Sequence, residues 1–229
     1  MMNEKKLKFR LDELLVKRGL VESREKAQRI IFSGDVKIDT LPKVLKPSTR
    51  VPGDVKIQIE KSPRYVSRGG EKLEKAFHSF RVDPTGSVFL DIGASTGGFT
   101  DCLLQKGALR VYALDVGHDL LHEKLRGDPR VIPLERINVR YLTPQEIPEP
   151  IQGITIDVSF ISLRLIFPIL SSLLPDGGIC IALIKPQFEA GREKVERGGL
   201  VKKRETHAQV LRDILMAARE NHFCLQGLT

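Results

Sequence analysis

Asp157 and Lys185 each close an apolar stretch, GITIDVSF and ICIALIK, and the two stretches are consecutive strands of the chain. In an α/β architecture such endings fall on the sheet edge where ligands bind. A structural ion pair would give the same pattern, but two charged endings beside a glycine-rich turn favour a functional pair. The chemistry that suits them is activation of a weak acid. A ribose hydroxyl does not attack at neutral pH unless a partner takes its proton or stabilises the forming alkoxide. A desolvated Lys beside a second cation can do either, with Asp157 fixing the amine in place. Lys72 is the third charge of interest. It lies in the first turn of a helix that opens at Gly69 and Gly70 in YVSRGGEKLEKAF, where the helix dipole disfavours a cation. From the residues alone, Lys72 is either a surface charge or a group that meets an anion.

A second reactant needs a pocket, and VFLDIGASTGGFT, Val88 to Thr100, outlines one. Val88, Phe89, Leu90 and Ile92 read as a buried parallel strand with Asp91 at its carboxyl end. Gly93, Gly97 and Gly98 turn the backbone where side chains would collide with a ligand. The spacing is not the dinucleotide G-x-G-x-x-G, and no phosphate-binding Lys follows. Asp115 ends the next strand, RVYALD, about 20 residues after the turn, where it can accept both hydroxyls of a ribose. An acidic residue before the glycines suits a ligand that joins adenosine to a cationic amino-acid end, which points to S-adenosylmethionine. Ala94, Ser95, Thr96 and Phe99 complete the cofactor turn, and Asn138 in ERINVRYL is placed either to touch adenine or to form a turn.

The elements that must position these residues alternate as strand, turn and helix. Strands at Arg110–Asp115, Val131–Glu135, Gly153–Asp157 and Ile179–Lys185 follow the central one, with helices through Cys102–Leu104, Leu120–Leu125, Leu163–Leu174 and His207–Glu220. That order predicts a doubly wound parallel sheet. Between Lys185 and the last helix, PQFEAGREKVERGGLVKKRETH carries six Lys and Arg within Arg192 to Arg204 and a Gly198–Gly199 hinge. It reads as a solvated loop or as an RNA-contacting lid with Lys202, Lys203 and Arg204 at its end.

The front of the chain is different in character. Residues 1–68 hold 17 Lys and Arg against 9 Asp and Glu, whereas the remainder holds 20 of each, so the net charge of +8 belongs to the front end. RLDELLVKRGL reads as a helix ended by Gly19, and Ser23 caps a second, REKAQRIIFSG, with Gly34 as its stop. Arg24, Lys26 and Arg29 lie off its apolar stripe. Alternation at Val36–Asp39 and Asp54–Glu60 indicates two short strands around a Pro-containing loop. Such a module would grip the phosphates of structured RNA by charge and shape, although these charges alone read better as a solvated helix face. The boundaries are a front module at 1–61, a linker at 62–67 and a body at 68–229.

Three cysteines, Cys102, Cys180 and Cys224, show no paired spacing, so no disulfide framework and no metal site is expected, and a cytoplasmic location fits. The apolar run Ile161–Leu174 is interrupted by Arg164 and Pro168 and falls short of the ~20 residues that cross a bilayer.

RLDELLVKRGLVESREKAQRIIFSGDVKID resembles the RNA-binding domain named after ribosomal small-subunit protein four, which implies RNA contacts at Arg10, Arg24, Lys26 and Arg29. SRGGEKL, DIGASTGGFTD, ALDVG, DVSFISL and LIKPQFE together resemble the TlyA family, also called hemolysins, whose members join that domain to an FtsJ-like methyltransferase of Rossmann-like type. The resemblance implies S-adenosylmethionine-dependent 2′-O-methylation of cytidine in ribosomal RNA, free or in ribosomal subunits, with Arg68 added to the RNA contacts. It maps the first three members of a Lys-Asp-Lys-Glu set onto Lys72, Asp157 and Lys185. No residue matches the fourth, which predicts absent C-terminal strands, an exposed sheet edge open to homo-oligomer formation and doubtful activity. The alternatives are an RNA-binding protein with an inactive body and, with no amphipathic membrane segment behind it, a membrane-lytic protein.

Overall fold

The computed structural model describes residues 8–32, 36–38, 41, 45–59 and 64–229, in two compact units, Met1–Arg64 and Tyr65–Thr229. In the first unit β1 (Lys8–Arg10) leads into α1 (Leu11–Lys17), followed by α2 (Arg24–Phe32), β2 (Val36–Lys37), β3 (Arg50–Pro52) and β4 (Gln58–Ile59). Leu11, Leu14 and Leu15 meet Ala27 and Ile31 of α2 and Val36, Ile38 and Val51 in one core. Each fully buried leucine there contributes about 2 kcal/mol. Gly19 adopts φ 64 just past α1, and the Ser23 hydroxyl accepts from the Lys26 amide at 3.2 Å, so both helix signals work as read.

The strands of this unit depart from the sequence reading. Arg10 ends β1, which pairs antiparallel with β3, an element hidden inside the expected loop. The expected strand at Asp54–Glu60 shrinks to β4, paired with β2, because Gly53 and Asp54 form a turn. Gly34, Asp39, Glu60 and Lys61–Pro63 lie outside the described residues. The linker expectation also shifts, since Tyr65 is buried and the Val66 amide donates to Asp101 Oδ2 at 2.8 Å. Residues 65–67 therefore pack within the second unit.

That unit contains α3 (Gly69–Phe80), β5 (Val88–Ile92), α4 (Gly98–Gln105), β6 (Arg110–Asp115), α5 (Glu123–Arg126), β7 (Val131–Glu135), β8 (Gly153–Ile156), α6 (Phe167–Leu173), β9 (Ile179–Ala182), α7 (Pro186–Glu189) and α8 (Arg204–Glu220). The five strands form one parallel sheet in the order β7-β6-β5-β8-β9. Alternation along β5 divides its side chains between two cores. Val88, Leu90 and Ile92 join α6 and α8 on one face, while Phe89 joins α3, α4 and α5 on the other. Helices on both faces confirm the doubly wound α/β expectation. Strand order reverses between β5 and β8, the place where an open α/β sheet leaves a crevice at its carboxyl edge.

Three expected helices change in extent. Leu120 and Leu121 lie before a one-turn α5, a short 3₁₀ turn at Leu163–Leu165 precedes α6, and α8 starts at Arg204 rather than His207. β9 is one edge of the sheet, and no described residue beyond Glu220 forms a strand. Among the described residues no helix is long and apolar enough to cross a membrane.

Candidate active site

The carboxyl edge of the sheet at the β5–β8 reversal gathers three charged side chains. Asp157 follows β8 directly, and its amide donates to the Ile92 carbonyl of β5 at 3.0 Å. Gly93, at φ 82, lies so near that a Cβ there would sit 2.8 Å from the Asp157 carbonyl oxygen, so only glycine fits the turn. Beyond β9 the Leu183 amide still donates to the Ile156 carbonyl at 2.9 Å, which carries Lys185 alongside Asp157. The Lys185 Nζ stands 2.6 Å from Asp157 Oδ1 and donates to Ser159 Oγ at 3.0 Å.

Lys72 reaches the same carboxylate from α3, its Nζ 3.4 Å from Asp157 Oδ2. It gets there because the first turns of α3 and α4 cross at glycine distance. A Cβ on Gly98 would stand 3.0 Å from the Gly70 amide nitrogen and 3.1 Å from the Gly69 Cα. One carboxylate thus carries two amines, leaving one net positive charge. Lys185 and Asp157 are each 19 % exposed and Lys72 50 %, so Lys72 is the outer group.

The turn after β5 is bound to β6. Gly93 and Ala94 amides donate to the Leu114 carbonyl, and Asp115 accepts from the Ser95 amide at 2.9 Å and the Gly117 amide at 2.8 Å. Two backbone donors fix the half-exposed Asp115 carboxylate and leave it lone pairs for hydroxyl groups. Ser95 and Thr96 are exposed beside it.

Other expected cofactor contacts face inward. Asp91 is 0 % exposed, and its two oxygens accept from Thr100 Oγ1 at 2.7 Å and Thr155 Oγ1 at 3.0 Å. Burial pushes its carboxyl up to about 6, against the pull of the two hydroxyl donors. Ala94 and Phe99 pack in the core beside α3, and Gly97 and Gly98 are buried, so these residues shape the turn with their side-chain positions facing protein. Asn138 Oδ1 accepts the Arg140 amide at 3.1 Å and caps the 3₁₀ turn Val139–Tyr141, the turn-forming alternative. A cavity of about 500 Å³ bordered by Glu71, Glu74, Lys75 and His78 lies on another face of α3 and includes none of the three charged groups.

Phe160 escaped the sequence reading. It is 91 % exposed at φ 65, and its ring centroid lies 5.0 Å from that of Phe188. A bulky residue in the left-handed region is a strained outlier. The aromatic three residues past the strand-end Asp was visible in DVSF; the backbone twist that turns it outward was not.

The basic residues divide into engaged and open ones. Arg10 and Arg24 both bind buried Asp12, Arg24 also pairs with Glu13 at 3.3 Å, and Lys26 pairs with Glu22 at 3.1 Å. The Arg29 side chain lies outside the described residues. Arg68, Lys203 and Arg204 are exposed with no ion pair among the described residues, whereas Lys202 pairs with Glu196 at 2.6 Å. The Arg192–Arg204 stretch holds a tight turn, with Glu196 bridged to Leu200 and Gly198 and Gly199 at positive φ.

Residues 65–228 match the model of the FtsJ-like methyltransferases. The chain belongs to that family. Residues 9–57 match the S4 domain. Among curated relatives, the family resemblance extends to YqxC of Bacillus subtilis, whose name provisionally assigns it rRNA methylation, at 51 % identity over 97 % of this chain and 79 % of that one. The 16S/23S rRNA (cytidine-2′-O)-methyltransferase TlyA of Mycobacterium tuberculosis is 42 % identical over 92 % of this chain and 78 % of its own length. A solved structure from Streptococcus thermophilus, provisionally named a hemolysin, superposes with a TM-score of 0.71 at 43 % identity, covering 96 % of this chain and 81 % of that chain.

Proposed function

We propose that this protein methylates the 2′-hydroxyl of a cytidine in ribosomal RNA, with S-adenosylmethionine as donor. The residues fit that donor. Asp115 is a half-exposed carboxylate anchored by two amides, suited to a ribose diol, and the Gly93–Thr96 turn beside it presents backbone and small side chains. When bound, the donor supplies an electrophilic methyl group.

The chain's own residues do the rest. The Lys185 amine is ion-paired with Asp157 and donates to Ser159. It faces the ribose oxygen, from which the amine takes a proton or whose negative charge it stabilises. Lys72 adds a second positive charge at the outer rim. Phe160, held out in solvent beside this pair, offers a flat face on which an unstacked base can lie. Arg68, Lys203 and Arg204 are open to phosphates.

The observation that carries this reading is the meeting of Lys72 and Lys185 on Asp157 at the strand-order reversal. It is tested by transfer of labelled methyl groups from S-adenosylmethionine to ribosomal subunits, followed by nucleoside analysis. Label is expected in 2′-O-methylcytidine, with Lys185→Ala reducing the rate by about 10²-fold or more. Absence of label with the unaltered protein, or an unchanged rate in Lys185→Ala, would contradict it.

A further inference from the structure

Two loops leave the carboxyl edge side by side, residues 157–163 after β8 and residues 183–189 after β9, and contacts join them like rungs. The Leu183 amide donates to the Ile156 carbonyl at 2.9 Å. Lys185 pairs with Asp157 at 2.6 Å and donates to Ser159 at 3.0 Å. Phe160 and Phe188 lie 5.0 Å apart. The last rung is Glu189, a 9 % exposed acid that has no part in the chemistry above.

Glu189 Oε2 accepts from the Ser162 hydroxyl at 2.5 Å, and Oε1 accepts from the Leu163 amide at 2.9 Å. Arg164 Nη2 returns a bond to the Glu189 carbonyl at 3.3 Å. A carboxylate buried this far is costly unless its oxygens are matched by donors, and here both donors come from the opposite loop. Glu189 therefore joins the loops from outside, four residues past Lys185 and five to six past Asp157.

We infer that Glu189 is a positioning residue for the methyl-transfer site, closing the two loops so that the Lys185 amine stays on Asp157 and Phe188 stays against Phe160. This rests on the function proposed above. A long Lys side chain has many rotamers, so its amine keeps one address only if the backbone at its base is fixed. Without the Glu189 carboxylate, the outer end keeps only the Arg164 bond to the Glu189 carbonyl and the Phe160–Phe188 contact across the two loops.

Glu189→Ala is expected to lower kcat for methyl transfer about 10- to 100-fold, because small misplacements of reacting groups are costly, while KM for subunits and S-adenosylmethionine affinity change less than about twofold. Glu189→Gln keeps an acceptor for the Leu163 amide and lets the Ser162 hydroxyl accept from its amide, so it is expected to restore most of kcat. Ser162→Ala, which removes one of the two bonds, is expected to fall between them and serves if Glu189→Ala does not fold. Hydrogen exchange on the free protein reads the rung without catalysis: the Leu163 amide is expected to exchange faster in Glu189→Ala and at the native rate in Glu189→Gln. An unchanged kcat in the alanine variant, or a glutamine variant as impaired as alanine, overturns the inference. Native exchange at Leu163 in Glu189→Ala overturns it as well. Unaltered protein that transfers no methyl group defeats the parent reading instead, and the exchange comparison still decides the rung.

Discussion

Asp12 in the first unit and Asp157 in the second each hold two cationic side chains on one carboxylate. Asp12 is 0 % exposed and receives Arg10 through Nε and Nη2, Arg24 through Nε, Gln28, and the Glu13 amide. Its acceptor sites are filled, and the partners are planar guanidiniums with little freedom. The Arg10 hydrogen bonds, helped by Arg24 and Gln28, outweigh burial and hold its carboxyl well below the usual range. Asp157 is 19 % exposed at the carboxyl edge of the sheet and is held by two flexible amines, one of them half in solvent. The same charge count thus makes a sealed joint in one unit and an open site in the other. Asp91 is the third case, a buried carboxylate with two hydroxyl donors and no cation, and its affinity for protons rises instead.

The sharpest way to break this contrast is to remove the two acids in turn. Asp157→Ala is expected to cut methyl transfer by about 10²- to 10⁴-fold while the denaturation midpoint falls less than for Asp12→Asn, since Lys72 is half in solvent and Lys185 keeps Ser159 as a partner. Asp12→Asn is expected to do the reverse, costing roughly 2–3 kcal/mol of stability because it removes a buried ionic partner from two arginines. Denaturant unfolding checks the cost, and kcat on the folded fraction should stay near native. Equal effects of the two substitutions on kcat would erase the distinction.

A change of comparable size separates Asp12 from Asp91 by pH. The folded value of Asp91 is raised to about 6, so its contribution to stability is full below the unfolded value near 4 and is lost as pH rises through 6. The loss amounts to roughly 3 kcal/mol by pH 8, and Asp91→Asn is expected to remove that slope. Asp12 has the opposite sign, its contribution being present above the unfolded value and lost as pH falls below it. Stability measured from pH 3 to 8 on both variants distinguishes them. The smallest expected effect is that of Ser159→Ala. Loss of one of the Lys185 partners should slow methyl transfer by about 3- to 10-fold, worth one ordinary hydrogen bond.

Much of this was legible in the sequence because it depends on short-range patterns. Strand endings gave Asp157 and Asp115, the glycines gave the turn between β5 and α4, and the alternation of elements gave the doubly wound sheet. What was hidden depends on distant partners. Asp91 looked like a ligand contact, but Thr155, 64 residues away, and Thr100 turn it into a core residue. Gly98 looked like room for a cofactor, yet its missing Cβ makes room for α3. Arg10 and Arg24 looked like free positive charge until the fold brought them to Asp12. β1 and β3 are too short for alternation to reveal, and only their pairing defines them.

The central claim is that Lys72, Asp157 and Lys185 act as one catalytic unit. A double-mutant cycle on Lys72→Ala and Lys185→Ala, read as single-turnover methyl transfer to ribosomal subunits, addresses it directly. The double variant should be about as slow as Lys185→Ala alone, with a coupling of roughly 1–3 kcal/mol, as expected for groups sharing one partner. Strictly additive losses, or a Lys72→Ala variant as fast as the unaltered protein, would contradict it.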